Sequence, residues 1–326
     1  MDSNASKNTN SHKFFKLWFN YEKPAISLKN LLKQELLSIL NLNQHANFQS
    51  NFESLDTLIT RQLILLSLDR QRLITQSNNW QLPDLRSTPL CYSCPIGLIL
   101  APRLQVSPLQ VVEDLKNLLV QHRSSTKSNL PLYLNIDPTG WLNFYLTERS
   151  LASWLERSLW LLTIREDNSL SILQRDRFLK SDLFCIQYVH ARCCSLLRLG
   201  AREKLIALAN NDFNRVGWQL VRSSSISWLD RQHYLLFNRQ SEYNLLRQLL
   251  IVTDSQTAND SVRWSQLALN LSQTTAIFLA DCRFLGKIKQ EFPQLAIARL
   301  GLIALTQYWL QKILVEKLNI TAPTTL

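Results

Sequence analysis

The chain has 326 residues, 46% of them hydrophobic, and it carries 36 Lys and Arg against 25 Asp and Glu, which gives a formal net charge of +11. The hydrophobic fraction excludes a wholly disordered chain. The net charge favours a polyanionic partner, either nucleic acid or an anionic membrane surface, and an equal alternative is that the charge only keeps the protein soluble. The six glycines are dispersed, which excludes the G-x-G-x-x-G and P-loop phosphate-binding motifs.

The first part of the sequence predicts a polar tail followed by helices. Residues 1–24 are rich in Asn and Ser and contain no apolar segment of signal-peptide length. A helix is predicted to begin at Ser27, because apolar residues then recur on one helical face. The pattern of Leu55–Ile74 is again typical of a helix, whereas three prolines predict that residues 82–95 are connecting chain.

A helix and a strand pair are predicted in the next segment. Ser107 suits the N-cap position and Pro108 the first helical position, and an apolar helical stripe follows. Apolar and polar residues alternate in Leu132–Ile136 and in Leu142–Leu146, on either side of D-P-T-G, which predicts strand, turn and strand. A second short strand pair is predicted within residues 159–174.

The last part of the sequence, from Phe184, predicts helices with loops near residues 210–217, 254–261 and 286–293. The most apolar stretch there is Ala296–Val315. Charged residues interrupt it, so it predicts a buried helix and not a membrane span. We therefore expect no membrane partner and a cytoplasmic protein with reduced thiols.

These patterns predict a mainly α protein with a C-terminal helical bundle and a smaller α+β N-terminal domain. The polar tail is expected to occupy residues 1–24 and the α+β module residues 25–157. A spacer is expected at residues 158–180, and the helical domain at residues 181–326.

The segment Phe184–Gly200, FCIQYVHARCCSLLRLG, combines polar side chains with a helical apolar stripe. As a helix it turns one set of residues toward the core: Ile186, Val189, Cys193, Leu196 and Leu197. One flank of this stripe holds Tyr188, Arg192 and Ser195. The other flank holds Gln187, Ala191, Cys194 and Arg198. An aromatic ring and a guanidinium one turn apart suit a stacked, unpaired base and its phosphate. The alternative is a solvated helix face on which the two side chains support each other.

Two pairs of residues have the spacing of metal ligands. Cys91 and Cys94 form a C-x-x-C pair, and His190 with Cys194, at i and i+4, could complete a zinc site. Packing is the favoured interpretation of both pairs, His190 is interpreted as a hydrogen-bonded structural histidine, and no cofactor is expected. Three tryptophans are expected in the core or half-exposed, with stacking on a base as the alternative: Trp228, Trp264 and Trp309.

The C-terminal half resembles a known protein family in its sequence motifs. QYVHARCCSLL resembles the Q-Y-A-H-A-R-[IL]-x-S-[IL] signature that opens the anticodon-binding domain, called DALR, of arginyl-tRNA synthetases. WSQLALNLSQTTAIFLADCRFLG resembles the family's later helix ending in C-R-x-L, and AIARLGLIALTQYWLQKILVEKLNITAP resembles its last helix and closing I-x-A-P. The resemblance implies a helical bundle that binds the anticodon stem-loop. The candidate tRNA-binding residues are Gln187, Tyr188, Arg192, Ser195, Arg198 and Trp309.

The N-terminal half resembles the module of the same family that precedes the catalytic domain and contacts the tRNA corner. YSCPIGLILAPRLQVSPLQVVEDL and LNIDPTGWLNFYL carry this resemblance. A catalytic domain does not fit into the spacer, and H-I-G-H-like and K-M-S-K-S-like elements are missing. Leu183-Phe184 replaces the family's Gly-Pro, and the chain ends in Thr324-Thr325-Leu326 where the family has a charged residue and Met.

The resemblance implies a non-catalytic arginyl-tRNA synthetase paralogue that binds tRNA at the anticodon stem-loop and corner without aminoacylating it. Adenylate formation needs groups that neutralise charge on the transferring phosphate, and no such set is recognisable. One alternative is a protein-interaction module, derived from a synthetase, whose partner is a full-length aminoacyl-tRNA synthetase or another protein. A second alternative is a fragment that acts with a separate arginine–tRNA ligase catalytic subunit.

Overall fold

The structure is a computed structural model that describes residues 27–42, 59, 61–67, 90–125, 130–161, 180–208, 226–256 and 262–325. Within these ranges the chain is mainly helical with a small antiparallel sheet, which confirms the predicted fold class. The described residues fall into two compact units, one up to Ser150 and the other from Leu151.

Within the described residues, the first unit combines a four-stranded antiparallel sheet with the helices α1 (Leu28–Leu42), α2 (Ile96–Leu104) and α3 (Pro108–Ser125). The strands β1 (Ile64–Ser67), β2 (Leu90–Cys94), β3 (Leu132–Asp137) and β4 (Trp141–Leu146) lie in the order β1-β2-β4-β3. Two predicted helix starts are confirmed, because Ser27 Oγ accepts the N–H of Asn30 at 3.0 Å and Ser107 Oγ accepts the N–H of Gln110 at 3.2 Å.

The predicted strand pair is confirmed as the hairpin of β3 and β4, which pair antiparallel from Leu132–Leu146 to Asp137–Trp141. The D-P-T-G turn closes through Asp137, whose Oδ1 accepts the N–H of Thr139 at 2.8 Å. Gly140 completes the turn at φ 93°, in the left-handed region that favours glycine.

Two sequence predictions were wrong in this unit. β1 lies within the segment predicted to be a helix, and β2 lies within the segment predicted to be connecting chain. β2 is central, paired with β1 and β4, and all five of its residues are buried. A strand covered on both faces shows no alternation of apolar and polar residues, so the sequence pattern carries no strand signal there.

Gly97 sits where α2, the hairpin turn and the start of α3 meet. Its N–H donates to the carbonyl of Gly140 at 3.1 Å. A Cβ at Gly97 would lie 2.5 Å from the Pro108 carbonyl oxygen and 2.6 Å from that of Gly140. Both neighbours are backbone atoms, so they cannot move aside without displacing whole elements.

We expect Gly97→Ala to lower the free energy of unfolding by about 1–3 kcal/mol, the usual cost of forcing atoms into a packed site. Urea unfolding followed by circular dichroism measures the change. Leu98→Ala is the matched control, since Leu98 is on the same helix and exposed. Equal unfolding midpoints for Gly97→Ala and the wild type would contradict this packing.

The second unit is a set of helices. Its described elements are α5 Lys180–Arg202, α6 Gln240–Ser255, α7 Trp264–Asp281, α8 Lys287–Glu291, α9 Pro293–Lys312 and a π-helical turn Ile313–Lys317. Helix α9 is the most deeply buried of them, α5 packs against α9 and α7, and α6 packs against α7. The burial of α9 confirms the prediction for the late apolar stretch. None of the described helices is both long and apolar enough to span a membrane. A further helix, α4 Glu148–Leu161, crosses the boundary between the units.

Three further predictions of secondary structure need correction. Residues 159–161 are helical, not strand, and the rest of that predicted strand pair lies outside the described residues. Residues 226–239 are not helical, because the Asp230 carboxylate accepts the N–H groups of Gln232 and Tyr234 and so competes with helical bonding. The short helix α8 lies within a predicted loop. The predicted loop at 210–217 lies outside the described residues.

A buried ion pair ties the second unit together. Arg299 Nε, on α9, lies 2.7 Å from Glu242 Oε1, on α6, and the two side chains are 4% and 0% exposed. Glu242 Oε2 also accepts the N–H groups of Asn238 and Arg239, each at 2.7 Å. Arg299 Nη1 donates to the carbonyl of Arg283, just beyond α7. One guanidinium and one carboxylate therefore join two helices to the segments that precede α6 and follow α7.

Candidate nucleic-acid interface

The buried face of α5 follows the predicted stripe. Ile186, Val189, Cys193 and Leu197 are buried, while Leu196 is only half-buried. Ala191 and Cys194, which the spacing places on a flank, are buried as well. That flank turns inward because α5 is covered by both α7 and α9, so its buried face is wider than one stripe.

The opposite flank of α5 carries two exposed aromatic rings. Phe184 is 62% exposed and Tyr188 is 50% exposed. Their centroids lie 6.1 Å apart with 24° between the planes, so the rings stack side by side along the helix. Sequence reasoning chose Tyr188 but missed Phe184, although the i, i+4 spacing of two aromatics on one helix was the available signal. Exposed ring faces of this kind are what an unpaired base stacks on.

Arg192 lies one turn beyond Tyr188 and is exposed. It makes no hydrogen bond or ion pair with any residue that the structure describes, and Tyr188 contacts Phe184 instead of the guanidinium. The alternative in which Tyr188 and Arg192 support each other is therefore not the observed arrangement. Ser195, half-buried on the same flank, donates its hydroxyl to the carbonyl of Ala191 at 3.1 Å within the helix.

Three other polar residues of α5, Gln187, His190 and Arg198, hold the C-terminal segment 318–325 against the helix. Gln187 Nε2 donates to the carbonyl of Thr321 at 2.9 Å, and Arg198 Nη2 donates to the carbonyl of Thr324. Gln187 and Arg198 were predicted as candidate tRNA-binding residues, and this stays a prediction. In the structure one donor of each side chain holds the segment 318–325 beside α5, which the local sequence pattern does not reveal.

His190 is the central anchor of this segment. Its Nδ1 lies 2.8 Å from the carbonyl oxygen of Pro323, which can only accept, so Nδ1 carries the proton. Nε2 then accepts from Gln307 Nε2 at 3.1 Å. Burial lowers the pKa of His190, so the folded protein favours the neutral ring. The stability that the neutral ring contributes is fully present above the unfolded-state pKa of about 6.5 and is lost as the pH falls below that value. The predicted structural role of His190 is confirmed.

We expect His190→Ala to free residues 318–325 from α5, because the substitution removes the central anchor and one of the two acceptors of Gln307 Nε2, the other being Gln311 Oε1. The protection of the amides in this segment against hydrogen exchange, relative to their intrinsic exchange rates at the same pH, should fall at least tenfold in the variant. Acidification of the wild type should lower this protection by a smaller factor. His233→Asn, at an exposed position, is the control. Unchanged exchange at residues 318–325 would show that the segment is held by other contacts.

The three tryptophans named from the sequence lie in the core, which was their favoured interpretation. Trp309, a candidate tRNA-binding residue, is 3% exposed on α9, which is covered on several sides, so its ring is not accessible in this structure. Trp228 and Trp264 are buried too. Trp228 packs so closely against α9 that a Cβ at Gly301 would lie 2.6 Å from its ring. A helix that is apolar all round gives no sign of which ring is accessible.

The C-x-x-C pair does not form a metal site. Cys91 and Cys94 both lie in β2, and because residues three apart on a strand point to opposite faces, the two thiols cannot bind one ion. Burial raises the pKa of Cys91 to about 11 and that of Cys94 to about 12, so both stay protonated. The described ranges hold no group of three or more His, Cys, Asp or Glu side chains arranged for a metal.

The comparisons with known proteins point to the synthetase class. The chain is similar in sequence to part of an aminoacyl-tRNA synthetase. That relative is an arginine–tRNA ligase from Synechococcus sp. (strain JA-3-3Ab), 28% identical over 145 residues, which are 43% of this chain and 22% of the relative. The matched part thus spans about a fifth of the relative's length. No protein-family profile and no solved structure matches the chain.

Proposed function

We propose that this chain binds tRNA with the exposed flank of α5 and does not itself activate arginine. The observation that carries the proposal is the Phe184–Tyr188 stack with the exposed Arg192 one turn away, which pairs with no residue in the described part of the chain. Two nearly parallel rings offer a stacking surface to an unpaired base, and an exposed guanidinium one turn along the helix reaches a neighbouring phosphate. Ser195 lies half-buried on the same flank.

Charge and similarity support the same conclusion. A net charge of +11 attracts a polyanion over distances of about a Debye length, which is the first step of RNA association. The similarity to an arginine–tRNA ligase makes tRNA the natural polyanion. In this proposal residues 181–326 form a DALR-type anticodon-binding domain, residues 25–157 form the module for the tRNA corner, and the protein works in the cytoplasm.

The lack of activation rests on the sequence. The six glycines are dispersed, and neither an H-x-x-H element nor a lysine-rich loop with an internal methionine occurs. Adenylate chemistry depends on groups that neutralise phosphate charge, and none is recognisable here. The arrangement is that of a binding protein, acting alone or beside a full-length synthetase.

The test is tRNA binding by the full chain at several salt concentrations. We expect the logarithm of the association constant to fall linearly with the logarithm of salt concentration, because bound phosphates release counterions. Arginine-dependent pyrophosphate exchange by the same preparation is expected to stay at background. Absence of salt-dependent binding to any tRNA at low ionic strength would replace the proposal with the protein-interaction module, and exchange that copurifies with the chain would overturn the non-catalytic part.

A further inference from the structure

A cleft of about 190 Å³ lies between α6 and α7, and no residue of α5 belongs to its lining. On α6 its lining recurs at three- to four-residue intervals, and on α7 at a three-residue interval, so each helix turns one face toward it. The lining residues are Ser241, Asn244, Arg247, Gln248, Thr274 and Ile277. They belong to a single compact unit.

Arg247 is the charged group of this cleft. Its Nε is buried and has no hydrogen-bond partner, and no carboxylate in the described part of the chain pairs with its guanidinium. The Arg247 side chain is half-buried, and its buried Nε–H has lost water without gaining a hydrogen-bond partner among the described residues, which is costly for a donor on a cationic group. A guanidinium that lines a cleft without such a partner is available to an anionic ligand from outside.

Gln248 is a second polar group of the cleft that can bind a ligand. Its side chain is 8% exposed, lines the cleft, and makes no hydrogen bond within the ranges that the structure describes. Asn244 adds a third donor: its Oδ1 already accepts from Gln240 Nε2 at 3.0 Å, so its amide protons remain for a ligand. Thr274 donates its hydroxyl to its own helix at Asn270 and does not compete.

The lining itself contains no carboxylate. One acid borders it: Asp281, which accepts the hydroxyl of Ser241 at 2.6 Å and faces Arg239 at 3.8 Å. The groups left over are a guanidinium, which can only donate, and two amides, whose NH2 groups donate and of which Gln248 also presents a carbonyl oxygen. Several convergent donors around one cation match an oxyanion, and phosphate has enough acceptor oxygens to satisfy all of them.

We infer that the cleft between α6 and α7 binds a backbone phosphate of the bound RNA, with Arg247 as the cation and Asn244 and Gln248 as neutral donors. This inference rests on the proposed RNA binding and adds a contact on helices other than α5. The volume agrees with it, since 190 Å³ is below the roughly 300–1,000 Å³ of small-molecule sites and suits one phosphate group with part of its sugar. The exposed Ile277 offers that sugar an apolar surface.

The first experiment follows the Arg247 Nε–Hε signal of the ¹⁵N-labelled full chain by NMR, assigned through its loss in Arg247→Gln. Inorganic phosphate should shift this signal in a saturable way, and equal ionic strength of sodium chloride should not. Arg247→Lys, which keeps the charge but loses the planar fork, is expected to bind phosphate at least several-fold more weakly; because this variant has no Nε–Hε group, the backbone amide signals of residues 244–248 report binding in both proteins. No phosphate-dependent shift would overturn the inference.

The second experiment measures RNA binding by the same variants. Arg247→Gln should weaken tRNA binding roughly tenfold for any RNA sequence and reduce the slope of log association constant against log salt by about one. Arg263→Gln, an exposed arginine at the start of α7, removes the same charge elsewhere and is the control. An effect of Arg247→Gln no larger than that of Arg263→Gln would overturn the inference.

The outcomes separate this inference from the proposal on which it rests. If Tyr188→Ala weakens tRNA binding and Arg247→Gln does not, the α5 surface stands and the cleft is not an RNA contact. If inorganic phosphate binds but Arg247→Gln leaves the affinity for tRNA unchanged, the cleft is a site for a free oxyanion, and its assignment to RNA is wrong. If no RNA binds to the wild type at all, the proposed function itself fails.

Discussion

Arg299→Ala is expected to lower the free energy of unfolding of the second unit by about 3–5 kcal/mol, the cost of breaking a buried ion pair by removing one partner. The substitution leaves the Glu242 carboxylate inside the protein, 0% exposed, with no cation beside it. It also removes the bond to the Arg283 carbonyl. Since small domains are stable by about 5–15 kcal/mol, this is a large share of the total. Guanidinium chloride unfolding followed by helical circular dichroism measures the change.

A double-mutant cycle separates the ion pair from packing. Arg299→Met combined with Glu242→Gln should lose clearly less stability than the two single losses added together, because neither charge then remains unpaired. Arg263→Ala, at an exposed arginine, is the matched control and should change stability by less than about 0.5 kcal/mol. A loss below about 1 kcal/mol for Arg299→Ala would mean that water reaches Glu242, contrary to the observed burial.

Tyr188→Ala is expected to weaken tRNA binding roughly tenfold or more, with the melting temperature nearly unchanged. Base–aromatic stacking contributes about 1–3 kcal/mol per base, and the half-exposed ring contributes little to the core. Phe184→Ala should give an effect of the same order, because the two rings form one surface. Arg192→Ala should act similarly, since a hydrogen bond to a charged group contributes about 1.5–3 kcal/mol. Fluorescence titration of labelled tRNA at fixed salt measures all three.

Two controls make this prediction specific. Tyr188→Phe keeps the ring and should bind within about threefold of the wild type, because stacking does not need the hydroxyl. Phe292→Ala removes another exposed aromatic ring from the same unit, outside α5, and should bind normally. The opposite pattern, with lower stability and full affinity among the folded molecules, would assign Tyr188 and Phe184 to structural support of the helix.

The exposed aromatic pair also separates RNA binding from the protein-interaction alternative. A protein partner that covers Phe184 and Tyr188 gains mainly from apolar area, so its affinity depends weakly on salt. An RNA partner releases counterions, so its affinity depends steeply on salt. The same Tyr188→Ala variant weakens both kinds of complex, and only the salt dependence distinguishes them.

The sequence by itself determined the elements with a clear local period. The apolar stripe of α5 was sufficient to predict a helix, and the alternation around D-P-T-G was sufficient to predict the strand pair, because the backbone sets both periods and they repeat every few residues. The same period placed Tyr188 and Arg192 on one flank, where both side chains are exposed. The motifs of the chain also indicated a relative among the arginyl-tRNA synthetases, in agreement with the similarity to an arginine–tRNA ligase.

Only the tertiary structure decided which polar residues are available. Gln187 and Arg198 are engaged by carbonyls more than a hundred positions away in the chain, and Arg247 lines a cleft that needs a second helix to exist. The period of α5 cannot distinguish a flank that faces solvent from one that the chain's own end covers. The strand β2 was mispredicted for the same physical reason: burial depends on what packs against an element, and local spacing contains no information about that partner. For the same reason the sequence left open whether Trp309 lies in the core or offers its ring to a base.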